Sequence, residues 1–238
     1  GTLYNEKIPR FDNLTQLQIL DSLKSYYNIA SERKATNQKN NVAIGYNTNV
    51  DLIVNACDLV TGLLNEQTQD TQILAAPEPR NHEHLDSASA LLESFMHFFA
   101  QGSAAERHID SQDVWDRILA LGYKQKEKSI YTGGNAALIG VKFAMLGWNV
   151  LLGGAIGPQL TDLLSPHPKI ELSKSKNNED EVHVIMEYRK NEQCLGVTTP
   201  RANRFIISRD VGNSRFYGIE ALHTDRFLEF KPNLVVIS

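Results

Sequence analysis

No stretch of this sequence approaches the roughly 18 consecutive apolar residues that a membrane-spanning helix needs. Basic charge is not in excess either: 24 Lys and Arg stand against 28 Asp and Glu, a net charge of −4. That balance excludes a general basic surface for nucleic acid. Cysteine is scarce. Cys57 and Cys194 form neither a Cys-x-x-Cys pair nor a zinc spacing, which leaves two free or buried thiols as the expectation and a disulfide as the alternative. An initiator methionine and a signal-peptide pattern are both missing, with the expectation that the natural start has been removed. "LLGGAIGP" (Leu151–Pro158) has neither the Lys-Ser/Thr of a Walker A loop nor the G-x-G-x-x-G spacing, so it reads as a strand-to-helix turn. No G-x-S-x-G elbow and no kinase H-R-D or D-F-G set occurs.

What is there suits a globular chain: 238 residues, 42% hydrophobic and 22% charged. That is enough for one large domain, or one domain carrying a smaller insertion. Leu14, Leu17, Leu20, Leu23 and Tyr27 recur at helical spacing behind Asp12 or Asn13. The polar run 31–41 reads as a linker, so residues 1–41 are expected to be a helix and linker, with the main domain over 42–238. "VAIGYN" and "NVLLGG" are short buried strands. Leu91, Leu92, Phe95, Met96 and Phe99 mark one helix; Val114, Ile118 and Leu121, behind Asp110 or Ser111, mark another. "PQLTDLL" places Pro158 at a helix start, and a late helix runs through Ile219, Leu222, Phe227 and Leu228 before the strand "NLVVIS". "DLIVNACDLV" begins as a strand or as a turn into one. From Glu181 to Arg189 the period is two, which predicts a half-exposed antiparallel strand. Strand–helix alternation with period-two segments predicts a doubly wound α/β sheet and a small accessory sheet.

Three places carry candidate chemistry. "GYNTNVD" (Gly45–Asp51) follows the first strand, where ligands of open α/β sheets sit. Asn47 and Asn49 both donate and accept while Asp51 accepts, a set suited to vicinal hydroxyls, with an Asx-rich turn as the plainer reading. "YTGGNAALIG" opens a small-faced helix with Gly133-Gly134-Asn135 where a serine or aspartate cap is usual, so either a turn or a polar ligand on exposed amides is expected. Glu106-Arg107 in "GSAAER" reads as a solvated or salt-bridged pair. His82 and His84 of "NHEH" have no third metal ligand near them and read as exposed histidines. Asn13-Leu14-Thr15 is a glycosylation sequon.

"GYNTNVD", "GSAAER", "YTGGNAALIG", "VHVIMEY" and "RANRFIISRD" occur in the order and at the separations seen in ADP-dependent glucokinases of the ribokinase-like superfamily. The chain resembles them from Val42 to its last residue. "GGNAALIG" and "ANRFI" resemble the animal enzymes more than the archaeal ones. The resemblance implies an α/β, ribokinase-like doubly wound sheet with a small β-sheet lid, its lid segments near 50–60 and 180–200, truncated on the C-terminal side. It implies transfer of the β-phosphate of ADP to the 6-hydroxyl of glucose, with Mg2+, giving AMP and glucose 6-phosphate. Asn49, Asp51, Glu106, Gly134, Asn135 and His183 match glucose-binding positions, and Arg204 matches an arginine facing the nucleotide phosphates. The family's catalytic Gly-x-Gly-Asp turn and its acidic metal ligands have no counterpart here. The isolated chain is therefore expected to be inactive and aggregation-prone, with the rest supplied by continuation of the chain or by a second one. Two other readings stand beside this one: a non-catalytic sugar-binding or interaction protein, and a ribokinase-like kinase for another substrate. Animal members imply the endoplasmic reticulum lumen or secretion, with the cytoplasm as the alternative.

Overall fold

The structure, a computed structural model, describes residues 40–68, 77–173, 179–215 and 225–238. Of the helix and linker expected over 1–41, residues 1–39 lie outside the described ones and Asn41 already belongs to a strand; the Asn13 sequon and the Ile219–Leu222 part of the late helix also lie outside. In chain order the strands are β1 (Asn41–Gly45), β2 (Asn49–Asn55), β3 (His84–Leu85), β4 (Ala105–Ile109), β5 (Ser129–Gly133) and β6 (Asn149–Gly153). They continue as β7 (Ile170–Ser173), β8 (Val182–Tyr188), β9 (Gln193–Cys194), β10 (Val197–Thr198), β11 (Asn203–Ser208) and β12 (Leu234–Ile237). The helices are α1 (Ala56–Thr68), α2 (Ala88–Gln101), α3 (Gln112–Lys124), α4 (Asn135–Met145), α5 (Pro158–Leu164) and α6 (Asp225–Phe230).

β12, β1, β6 and β7, in that order, form an all-parallel sheet. Its two central strands, β1 and β6, are buried apolar runs because they meet protein on both faces, whereas Leu234, Val235 and Ile237 of the edge strand β12 are exposed. Val42, Ile44, Val150 and Leu152 turn into the main core with Ala136 and Ala137 of α4, while Ala43 and Leu151 turn the other way onto Phe230 of α6. Helices on both faces of a parallel sheet are the doubly wound arrangement expected from the sequence.

The second sheet is mixed, in the order β3-β4-β11-β8-β2-β5. One face is covered by α1, α2 and α3. There Leu52 and Val54, Val184 and Met186, and Phe205 and Ile207 pack with Leu59, Leu63, Phe95, Phe99 and Ile118. Tyr188 sits edge-on to Phe95 and Phe99, its hydroxyl donating to the Ser103 carbonyl at 2.8 Å. α2 is capped by Ser87 and α3 by Ser111, the second of the two residues expected there.

The structure corrects or refines four readings. β8 is antiparallel to β11, as expected, but it is a central strand that also pairs parallel with β2; on its second face Glu187 is exposed and His183 half-buried, whereas Ile185 is buried. The alternating pattern sets its burial at every position but Ile185, which its central place in the sheet covers. Of the two alternatives for Glu106 and Arg107, the salt bridge is absent because neighbours on a strand point to opposite faces, while Glu106 is exposed to solvent. Arg107 instead donates to the His82 carbonyl and Asn81 Oδ1 and stacks 4.9 Å from the Phe98 ring. Cys57 and Cys194 are not free: they form a disulfide, Cα atoms 5.5 Å apart, joining the start of α1 to the β9–β10 hairpin. His82 is half-buried rather than exposed, its Nε2 2.7 Å from Glu93.

Candidate functional site

One face of the mixed sheet is left uncovered by the described residues, and period-two alternation decides which side chains share it. Strand register aligns them in rows. Tyr131, Asp51, His183, Ser208 and His108 form one row across β5, β2, β8, β11 and β4. Ser129, Ile53, Ile185, Ile206 and Glu106 form the next, and Asn55, Glu187 and Arg204 a third. An isoleucine stripe thus runs between two polar rows. Arg204 also lines a shallow cavity of about 520 Å³ with Ile53, Ser129 and Glu187.

The first row ends where the chain passes between the sheets. One passage is Tyr46–Thr48, a second is Gly134, a third arrives through Asp180–Glu181, and a fourth leaves through Arg209–Asn213. Side chains knot these together. Thr48 donates from its backbone N–H to Asn213 Oδ1, the Asn213 amide returns a bond to the Thr48 carbonyl, and the Thr48 hydroxyl donates to the Ala155 carbonyl at 3.0 Å. The backbone N–H of Val50 donates to the Glu181 carbonyl at 2.8 Å.

Gly133-Gly134-Asn135 sits inside this knot. Gly133 is the strand partner of Asn49, and a Cβ there would lie 2.3 Å from both Asn49 Nδ2 and Asp51 Oδ1. Gly134 has φ +80°, and a Cβ there would lie 2.5 Å from the Asn47 carbonyl oxygen. That same carbonyl accepts from the Ala136 N–H at 2.9 Å, closing the first turn of α4 without a side-chain cap. The close approach that demands glycine at 134 is therefore made by the protein's own Asn47–Thr48 passage.

The electrostatics follow from partial burial. Desolvation raises the Asp51 carboxyl above its ordinary range, opposed by the Asn49 hydrogen bond and the charges of His183 and Arg204. Burial acts against protonation of the His183 ring, but the hydrogen bond to Asp210 and the charges of Asp210, Asp51 and Glu106 outweigh it and raise the ring. Among the described residues no group of three or more His, Cys, Asp or Glu converges to hold a metal ion.

Of the residues singled out from the sequence, the structure brings Asn49, Asp51, His183 and Gly134 together at the mouth between the sheets. Asn135 is exposed at the helix start beside them. Glu106 reaches the group by charge from two strands away, and Arg204 projects from the far row. Sequence reading missed Thr48, Glu181, Asp210 and Asn213, whose contacts span up to 165 residues. It also missed Asp180, whose carboxylate accepts from the backbone N–H groups of Gly157, Gln159 and Leu160 at 2.8–3.0 Å. That carboxylate occupies the start of α5, where a phosphate loop would otherwise be sought.

Residues 40–238 match the conserved region of ADP-specific phosphofructokinase/glucokinase. The chain is similar to the ADP-dependent glucokinase of Bos taurus, 35% identical over 198 residues that make up 83% of this chain and 38% of that protein. It is similar to the probable ADP-dependent glucokinase of Caenorhabditis elegans, 33% identical over 82% of this chain and 37% of that protein. A solved structure of the last common ancestor of ADP-dependent phosphofructokinases from Methanosarcinales superimposes with a TM-score of 0.57 at 19% identity, over 80% of this chain and 43% of that one. The chain thus spans less than half the length of these curated relatives. Sequence match and shared ribokinase-like architecture agree, and the chain belongs to the ADP-specific phosphofructokinase/glucokinase family.

Proposed function

We propose that this chain is the sugar-binding portion of an ADP-dependent glucokinase, with the mixed sheet as the lid over a neutral hexose. The observation that carries the reading is the grouping of Asn49, Asp51 and His183 beside the Gly133–Gly134 start of α4, on the face of that sheet that the described residues leave uncovered. Amide and carboxylate groups suit sugar hydroxyls, each of which donates and accepts. Ile53 and Ile206, half-buried on either side of the buried Ile185, offer an apolar surface to the C–H face of a pyranose ring. Asp51 and Glu106 disfavour a phosphorylated sugar such as fructose 6-phosphate through like-charge repulsion, which favours glucose within this family.

In this reading Asn49, Asp51, Glu106, Gly134, Asn135 and His183 bind glucose and Arg204 faces the phosphates of ADP. Closing such a lid excludes water, which would otherwise accept the phosphoryl group. Mg2+ accompanies ADP as donor, but the described residues supply no ligand set for it. The 238 residues contain no Gly-x-Gly-Asp turn, so they transfer no phosphoryl group without a general base from elsewhere. The Cys57–Cys194 disulfide supports an oxidising compartment, the endoplasmic reticulum lumen or the cell exterior.

Calorimetry with glucose, fructose 6-phosphate and ribose tests the reading. Glucose is expected to bind best. Tightest binding of fructose 6-phosphate or ribose would replace it with a kinase for another sugar, and no binding of any of the three would end it.

A further inference from the structure

Beneath the sugar-facing row lies a line of carboxyls that the proposed binding does not use. Glu181 is 8% exposed, and its carboxylate accepts from the backbone N–H groups of Val211 and Gly212. A Cβ at Gly212 would press on Glu181 Oε1 at 2.9 Å, so the turn is moulded around that carboxyl. The same turn presents Asp210, whose Oδ1 lies 2.9 Å from His183 Nε2. Glu181 ends the third passage two positions before His183 on β8, and Asp210 and Val211 are neighbours on the fourth passage. Two passages between the sheets are therefore fastened to each other twice, once at the buried Glu181 and once at His183.

We propose that Asp210 is the positioning residue of His183, holding its Nε2–H so that Nδ1 stays free for a ligand, and that Glu181 holds Asp210 in place by binding the Val211–Gly212 amides. This rests on the sugar-binding reading of the same face. A ring free to rotate about χ2 would offer either nitrogen to a ligand, whereas a carboxylate on Nε2 selects the tautomer and orientation, as carboxylates do for histidines elsewhere. The charged groups facing His183 are Asp51 from β2, Glu106 from β4 and Asp210 from the turn, with Arg204 acting on Asp51. The Glu181 carboxyl is raised by burial and by the adjacent Asp210, against the pull of the Gly212 and Val211 amides.

The test is an NMR titration of the His183 ring in the 238-residue chain, its signal assigned with His183→Gln, alongside glucose calorimetry across pH. Asp210→Asn should lower the proton affinity of His183 roughly tenfold or more and shift the pH profile of glucose affinity with it. Asp210→Glu should restore both, and Glu181→Gln should reproduce part of the shift with the fold retained. An unchanged His183 titration in Asp210→Asn would overturn the proposal. A shifted titration with no glucose bound by the unmodified chain would uphold the positioning and overturn the sugar reading instead. A merely structural role for Asp210 would lower the melting temperature while leaving the titration of the folded ring in place, and that result also counts against it.

Discussion

The Asn49 side-chain amide donates to Asp51 Oδ1 at 2.7 Å, along the same face of β2 and over the bare backbone of Gly133. Asn49 is almost fully buried, and its amide holds the carboxylate in place. Asp51→Ala is expected to weaken glucose binding by about 10–100-fold, the loss of one charge-assisted hydrogen bond or two, as read by calorimetry. Asp51→Asn should lose affinity too, yet raise the melting temperature, because a carboxylate raised by desolvation costs stability while it is ionised.

Gly133 and Gly134 are adjacent, but substitution should separate them. A Cβ at 133 meets the movable side chains of Asn49 and Asp51, whereas one at 134 meets the Asn47–Thr48 backbone at positive φ. Gly133→Ala is expected to abolish glucose binding with a modest loss of stability. Gly134→Ala should destabilise the chain by about 2 kcal/mol or more. Urea denaturation with calorimetry distinguishes the two.

Stability should rise as pH falls from neutral into the mildly acidic range. Asp51, Glu181 and His183 are all raised, so the folded state holds their protons more tightly than the unfolded chain does. The His183 contribution is fully present below the ring's unfolded value and is lost as pH climbs through its folded one. The two carboxyls cost stability once pH exceeds their unfolded values, and that cost is relieved on acidification. Glu171, lowered by Arg226, has the opposite sign but is exposed and screened. Melting temperature followed against pH checks the slope; a rise toward alkaline pH would contradict it.

Reducing the Cys57–Cys194 bond frees a loop whose ends are 137 residues apart. Reduction is expected to cost roughly 2–4 kcal/mol, by relaxing the constraint on the unfolded chain. Thermal unfolding with and without reductant measures it, and Cys57→Ser with Cys194→Ser should match the reduced protein.

Asp180→Ala removes three bonds to the start of α5 and should cost about 2 kcal/mol by denaturant unfolding, the upper end for a lost helix cap. Glucose affinity should hardly change, because α5 lies away from the open face. A matching loss of affinity would place Asp180 in the site.

Local pattern was enough to read much of this molecule. Apolar runs marked β1, β6 and β12, helical spacing marked α2 and α3, and the order of five motifs carried the family. Those signals are legible because strands and helices repeat within a few residues. The partnership of Cys57 with Cys194, the Glu181 contact with Gly212 and the occupation of the α5 start by Asp180 had no local signature. Each joins residues separated by about 20 to more than 130 positions: the pairing of β2 with β8 brings the cysteines together, and chain passage between the two sheets brings together the other two pairs. Sequence alone determined which groups were available to bind; the register of six strands decided which of them share an uncovered face, because a side chain's direction is set by its strand's neighbours as well as by its own alternation.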